Sequence, residues 1–155
     1  MKLTDQNLLE TLKGFSYDAK LQDNTNQLSF VFEHEKKEFP IFFRPLHEAE
    51  LLQILTFVPC TIQDNKIAEL ARFLHMLNKE LDVPGFCLDE QSKTVFYRLI
   101  LPTLKQEFDP EALEAFINTS QVVCKSFGTV IDALAAGTIS LTEILKKAGQ
   151  LKAAQ

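Results

Sequence analysis

The sequence predicts one α+β domain, in which helices pack on a twisted antiparallel sheet in the order αβββαββα, with an extra C-terminal helix. Two patterns carry this prediction. Apolar residues recur at every second position in several short stretches, as in half-buried strands, and at every third or fourth position in longer ones, as in amphipathic helices. The chain of 155 residues also suits a single domain and contains no repeat or low-complexity tract.

The N-terminal part predicts a helix and then a strand. Thr4 has the chemistry of an N-cap, three leucines follow on one face, and a glycine comes directly after Lys13. Beyond a turn-forming cluster, apolar and polar residues alternate from Leu28 to Glu33, which indicates a half-buried strand.

Two further strands are predicted before the middle of the chain. Phe39, Ile41 and Phe43 alternate along the first of them, and its two prolines indicate a position near an edge of the sheet. The stretch from Leu51 to Val58 would suit either a strand or a helix. Its short length and the following Pro59 favour a strand.

The clearest element is a long amphipathic helix that we expect to begin at Thr61 and to end before Pro84. Thr61 and Asp64 have the spacing of an N-cap and the third residue of a helix. Apolar residues then form a seam at helical spacing, namely Ile67, Leu70, Leu74, Leu77 and Leu81. A β-hairpin is predicted next, with strands over Gly85–Asp89 and Thr94–Leu101.

The C-terminal part predicts two helices. The segment 109–111 combines an N-cap aspartate, a proline at the first helical position and an early acid. Gly137 closes that helix, and Ser140 caps the last one. We therefore predict one domain over residues 1–137 and a helical extension over residues 138–155.

Composition argues against several classes of partner. The net charge is −5 and the pI is near 5.2, and the basic residues form no patch, so neither nucleic acid nor an anionic membrane is expected. The longest apolar stretch, Leu51 to Cys60, is half the length of a membrane span, and the N-terminus lacks the apolar core of a signal peptide. The three cysteines form no C-x-x-C pair. The expectation is a cytoplasmic protein with reduced thiols.

The sequence contains no motif of catalysis or cofactor binding. His34, His47 and His75 lack the spacing of metal ligands on one helix. No phosphate-binding loop or nucleophile elbow is present. We expect no cofactor, no metal and no enzymatic activity, although the fold could still bring a cysteine, a histidine and a carboxylate together in a cleft.

The aromatic composition is unusual, with thirteen Phe, two Tyr and no Trp. Phe42 and Phe96 fall on the strand faces opposite the main apolar rows, and Phe73 lies at the margin of its helix stripe. If these side chains are exposed, they form the kind of apolar patch that marks a protein–protein site. If helices cover both faces of the sheet, there is no patch. The sequence leaves both arrangements open.

The segment 70–115 resembles the YbjN family, often described as sensory transduction regulators, and more distantly the class I type III secretion chaperone fold. The residues that carry the resemblance are Leu77-Asn78, Phe86-x-Leu88-Asp89, Val95-Phe96-Tyr97, Leu101-Pro102 and Asp109-Pro110-Glu111. The resemblance implies a homodimer that holds a segment of a protein client or effector and performs no chemistry. It also implies an alternative, a regulatory domain of the YbjN type that senses a small ligand.

The resemblance further implies where the interaction sites lie. The residues expected at the dimer interface are Phe73, Leu77, Phe86 and Phe96. The residues expected on a partner-binding sheet are Phe30, Phe32, Ile41 and Phe43. The C-terminal extension departs from the compact chaperone pattern. It could cover a groove, extend the dimer contact or be an ordinary extra helix.

Overall fold

The computed structural model describes residues 1–25 and 27–153. The helices are α1 (Asp5–Gly14), α2 (Ile67–Glu80), α3 (Pro110–Ala136) and α4 (Leu141–Ala153). The strands are β1 (Lys20–Leu21), β2 (Leu28–His34), β3 (Lys37–Leu46), β4 (Leu51–Val58), β5 (Phe86–Asp89) and β6 (Thr94–Pro102). The predicted α+β fold is confirmed, with the two-residue strand β1 added. None of the described helices combines the length and hydropathy that crossing a membrane requires.

The strands form one antiparallel sheet in the order β1-β2-β3-β4-β6-β5. β3 therefore pairs on both sides, and the prediction that its prolines place it near an edge is wrong. Pro40 lies opposite Val31 on β2, and Pro45 lies opposite Leu52 on β4. Because each residue of an antiparallel strand bonds to one neighbour at a time, each proline removes one donor and leaves the rest of the ladder intact.

Three helix boundaries follow the predicted chemistry. The Thr4 hydroxyl accepts a hydrogen bond from the Asn7 N–H at 3.1 Å at the start of α1. The Asp109 carboxylate accepts one from the Glu111 N–H at 3.0 Å at the start of α3. Gly137 ends α3 in the left-handed conformation, with φ of 81°, which costs a glycine little.

The start of α2 differs from the prediction, and Thr61 is not its N-cap. A short 3₁₀ turn spans Asp64–Lys66, and the α-helix begins at Ile67. The Gln63 N–H donates to the Ala135 carbonyl at 3.0 Å, while Gln63 itself is extended. This bond holds Gln63 in an extended conformation against the end of α3, so helical structure begins only after Gln63.

The two faces of the sheet have different surroundings. One face, here called the covered face, lies under the helices: the Phe86 ring contacts Phe127 of α3 with centroids 6.3 Å apart, and the Phe39 ring packs against Gly128 of α3. Just after α1, Tyr17 stacks on this face against Phe30. Almost all residues of the covered face are buried. The buried ones include Phe30, Phe39, Ile41, Phe43, Leu52, Ile54, Thr56, Val58, Phe86, Val95, Tyr97, Leu99 and Leu101.

The opposite face, here called the open face, has no helix packed on it within the described residues. Apart from the buried Ser29, its side chains are half-buried or exposed. Its apolar residues are Val31, Pro40, Phe42, Leu46, Leu51, Leu55, Phe57, Cys87, Phe96, Ile100 and Pro102. The sequence left open whether helices cover both faces of the sheet. In the structure no helix covers Phe42 and Phe96, which are half-buried, whereas Phe73 is buried.

Candidate interaction surfaces

The first candidate surface is a groove of about 380 Å³ between α2, α3 and α4. Two charged residues, Lys79 and Glu80, contribute to its wall. The other lining residues are apolar and are Phe73, Met76, Leu77, Phe127, Val130, Ile144, Leu145 and Ala148. A site of this composition binds apolar groups and offers few polar groups to orient a ligand.

A carboxylate on α2 fixes the start of α4 and thereby one wall of the groove. Glu69 accepts a hydrogen bond from the Leu141 N–H at 3.0 Å and another from Lys66 Nζ at 3.1 Å. These bonds, led by that from the Leu141 backbone, lower the pKa of Glu69. The Ser140 hydroxyl accepts from the Glu143 N–H at 3.1 Å, so the predicted cap is present. Because the first turn of α4 is bonded to α2, the side chains of α4 that line the groove have a defined position.

The second candidate surface is the centre of the open face, where three phenylalanine rings form a row across β3, β4 and β6. The centroids of Phe42 and Phe57 lie 5.6 Å apart, and those of Phe57 and Phe96 lie 5.9 Å apart. The first pair is edge-to-face and the second is tilted, both favourable arrangements for aromatic rings. Beside this row, Val31 is 53% exposed and Ile100 is 37% exposed. An apolar strip therefore runs over the middle of this face.

Charged side chains lie at opposite ends of that strip. At one end, Glu33 and Glu38 face each other directly in the β2–β3 register. Toward the other end, Arg44 lies opposite Gln53 and Arg98 lies opposite Leu55. Among the described residues, none of the two glutamates and two arginines takes part in an ion pair. The open face is acidic at one end, and its other half contains the two arginines, with Leu46, Leu51 and Pro102 beyond Arg44.

The structure distributes the eight residues predicted for interfaces over four places. Leu77 lines the groove and Phe96 belongs to the open face. Phe32 is half-buried at a margin of the covered face, where it stacks on Phe39 at 5.0 Å with Lys125 Nζ 5.5 Å from its ring centre. The remaining five are buried in the core and are Phe30, Ile41, Phe43, Phe73 and Phe86. Phe73 still contributes to the groove wall, but the other four would reach a partner only if the core opened.

Two of the residues that carry the family resemblance, Asn78 and Phe86, bond to each other at the edge of the sheet. The Asn78 side chain donates to the Phe86 carbonyl and accepts from the Phe86 N–H, both at 2.8 Å. An unpaired strand edge is a template for unwanted pairing, and an amide side chain that satisfies both groups blocks it. The Leu77-Asn78 and Phe86 pattern thus joins α2 to β5.

Cys60 and Cys124 do not have the environment of nucleophiles. Burial raises the pKa of the Cys60 thiol to about 11, with a further contribution from the nearby Asp132 carboxylate. Burial also raises the pKa of Cys124 to about 12. Both thiols are protonated at neutral pH, whereas the thiolate is the reactive form. The described residues also contain no group of three His, Cys, Asp or Glu side chains that could hold a metal ion.

Several residues of these surfaces were not predicted from the sequence. Phe57 and Leu55 were not singled out, although the β4 sequence LLQILTFV has apolar residues at both parities and so signals a strand with two apolar faces. Arg44, Arg98 and Glu38 were not recognised as one charge pattern, because their positions relative to each other depend on strand register. The groove residues come from three helices far apart in the chain, and no local signal connects them.

The described residues define an α+β fold with a six-stranded antiparallel sheet and two apolar surfaces. Residues 4–133 match the model of the YbjN family, described as "Putative bacterial sensory transduction regulator". The chain therefore belongs to the YbjN family. The match ends within α3, so α4 lies beyond it.

Solved structures with a similar fold share little sequence with this chain. The crystal structure of YbjN from E. coli superimposes with a TM-score of 0.65 at 15% identity, over 90% of this chain and 96% of that one. The structure of the ExsC–ExsE complex gives a TM-score of 0.56 at 17% identity, over 85% and 98%. The HopA1–SchA chaperone–effector complex gives 0.49 at 12% identity, over 81% and 94%. No curated protein matches the sequence.

Proposed function

We propose that this protein is a non-enzymatic, chaperone-like binding module of the bacterial cytoplasm, a homodimer in which each copy holds an apolar segment of a client protein. The observation that carries the proposal is the groove between α2, α3 and α4, with eight apolar side chains among its ten lining residues. The fold is shared with a chain of the ExsC–ExsE complex, a structure of two proteins bound to each other. That precedent supports a second protein as the ligand.

The lining of the groove suits a short peptide segment. Side chains on neighbouring turns of α2 and α3 form a row of apolar contacts, which is the geometry that receives an amphipathic helix or a few apolar anchors. Met76 adds an adaptable thioether that packs against different shapes. Lys79 and Glu80 supply opposite charges that can fix the direction of the bound segment. Each 100 Å² of apolar surface buried there contributes roughly 2.5 kcal/mol.

A small-ligand-sensing regulatory domain of the YbjN type is the second candidate. The volume of about 380 Å³ falls within the range of small-molecule sites. With only two charged residues in the lining, such a ligand would be largely apolar. A ligand of this kind would raise the thermal unfolding temperature of the protein, because it binds the folded state alone.

The test is a pull-down from the native organism with the wild-type protein, Leu77→Glu and Val122→Glu, followed by identification of the bound chains. Leu77→Glu places a charge in the groove. Val122→Glu is a matched control, since Val122 is 63% exposed on α3 and does not line the groove. We expect the wild type and Val122→Glu to retain the same client and Leu77→Glu to lose at least about tenfold of it, since burying an unpaired charge is strongly unfavourable.

Circular dichroism and thermal unfolding establish that all three proteins are folded. Equal recovery of the client by Leu77→Glu would contradict the groove as the client site. Recovery of no client, together with stabilisation by an apolar small molecule that Leu77→Glu abolishes, would replace the chaperone-like function with the regulatory one.

A further inference from the structure

The open face has the size of a protein–protein interface. The six strands contain 40 residues. At about 3.4 Å per residue and 4.8 Å between strands, they give the face a projected area of roughly 650 Å². Side-chain relief increases the accessible area above this projection, and a standard stable interface buries about 800 Å² per partner. An apolar strip bordered by charged side chains is also the usual arrangement of an interface with a central apolar part and a polar rim.

The charges of this face match a second copy better than a partner of uniform charge. An acidic partner would meet Glu33 and Glu38 at one end, and a basic partner would meet Arg44 and Arg98 toward the other. A copy turned by 180° presents each end with the opposite charge. Isologous dimers use this kind of self-complementarity, because one favourable contact is made twice.

The register specifies how the two copies would align. Ile41, Thr56 and Tyr97 lie in one row across β3, β4 and β6. We propose that two copies associate through their open faces, about a two-fold axis that runs along this row. On β3 the axis pairs position 38 with position 44, so Glu38 of each copy meets Arg44 of the second copy.

The same axis brings the apolar side chains together. On β4 it pairs position 55 with position 57, so Leu55 packs on Phe57 of the second copy. On β6 it pairs position 96 with position 98, so the Arg98 guanidinium lies over the Phe96 ring, as in a cation–π contact. A two-fold axis along β3 would instead set Glu38 against Glu38, which is repulsive.

The isolated chain contains a like-charge contact that this association relieves. Glu33 and Glu38 lie directly opposite each other on neighbouring strands, an arrangement that destabilises a sheet. Arg44 of the second copy supplies the missing positive charge. This inference deepens the proposed function, since it assigns the homodimer contact to the open face and leaves the groove on the far side of each copy free for a client.

Charge reversal tests the pairing through sedimentation velocity over a range of protein concentrations. Glu38→Arg and Arg44→Glu each create a repulsive pair, and we expect each to weaken dimerisation at least about tenfold. The double variant restores an attractive pair with reversed polarity, and we expect its dimerisation constant to return to within about threefold of the wild type. Arg72→Glu on the exposed side of α2 is the control and leaves the constant unchanged.

Thermal unfolding of each variant establishes that loss of the dimer is not loss of the fold. A dimer that persists in both single variants would overturn the inference while leaving a homodimer at another surface. A wild type that stays monomeric at hundreds of micromolar would also overturn it. Client binding by the groove, measured in the pull-down, would stand or fall independently in either case.

Discussion

The two faces of the sheet are built from the same strands and differ in almost every physical property. On β4, Ile54 points to the covered face and is fully buried, whereas its neighbour Leu55 points to the open face and is only half-buried. The covered face is sealed by helices and holds the fold together. The open face is apolar without being sealed. The difference supports the proposal that apolar residues on the open face serve association rather than folding.

The largest expected contrast comes from truncating those two neighbours to alanine. Ile54→Ala removes a fully buried side chain and is expected to lower the free energy of unfolding by about 2–5 kcal/mol. Leu55→Ala removes a side chain that stays partly in water, and the expected loss is below about 1 kcal/mol. Urea unfolding at low protein concentration measures both values on the isolated chain. Equal losses would show that a helix or segment covers both faces.

A smaller contrast separates two buried threonines. The Thr56 hydroxyl lies on the covered face, is fully buried and has no hydrogen-bond partner among the described residues. Thr56→Val replaces it with a methyl group and is expected to raise the free energy of unfolding by about 1 kcal/mol. The equally buried Thr103 hydroxyl donates to the Ala49 carbonyl at 2.7 Å.

Thr103→Val is the matched control and is expected to lower the free energy of unfolding by about 1–2 kcal/mol, because it leaves that carbonyl unsatisfied. Thermal or urea unfolding gives both changes. A lower free energy of unfolding for Thr56→Val would mean that the Thr56 hydroxyl has a hydrogen-bond partner.

The elements were predictable wherever one local signal determined them. The alternation in β2 and β6 and the cap at Asp109 each rest on a few adjacent residues, and each was confirmed. β1 was missed because Lys20 and Leu21 are too few to show a period. Thr61 had the right chemistry for a cap, but a bond to α3 decided the conformation of its segment.

The sites were less predictable than the fold. The phenylalanines of β2 and β3 were expected to bind a partner. Phe30 and Phe43 do lie on the apolar side of their strands, but that side is the one that the helices cover. Sequence alternation shows that a strand has an apolar side, and only the packing of distant helices shows which side remains open. The domain boundary after residue 137 stays a prediction. So does the homodimer, which now has a proposed surface.

Oxidative footprinting by hydroxyl radicals, read by mass spectrometry, tests the contrast between the two faces most directly. In a dilute sample we expect oxidation of Phe42, Phe57 and Phe96, and none of Phe30 and Phe43. In a concentrated sample we expect the first three to become protected, because the open faces then meet. Oxidation of Phe43 at the rate of Phe57, or full protection of Phe57 in the dilute sample, would contradict the account.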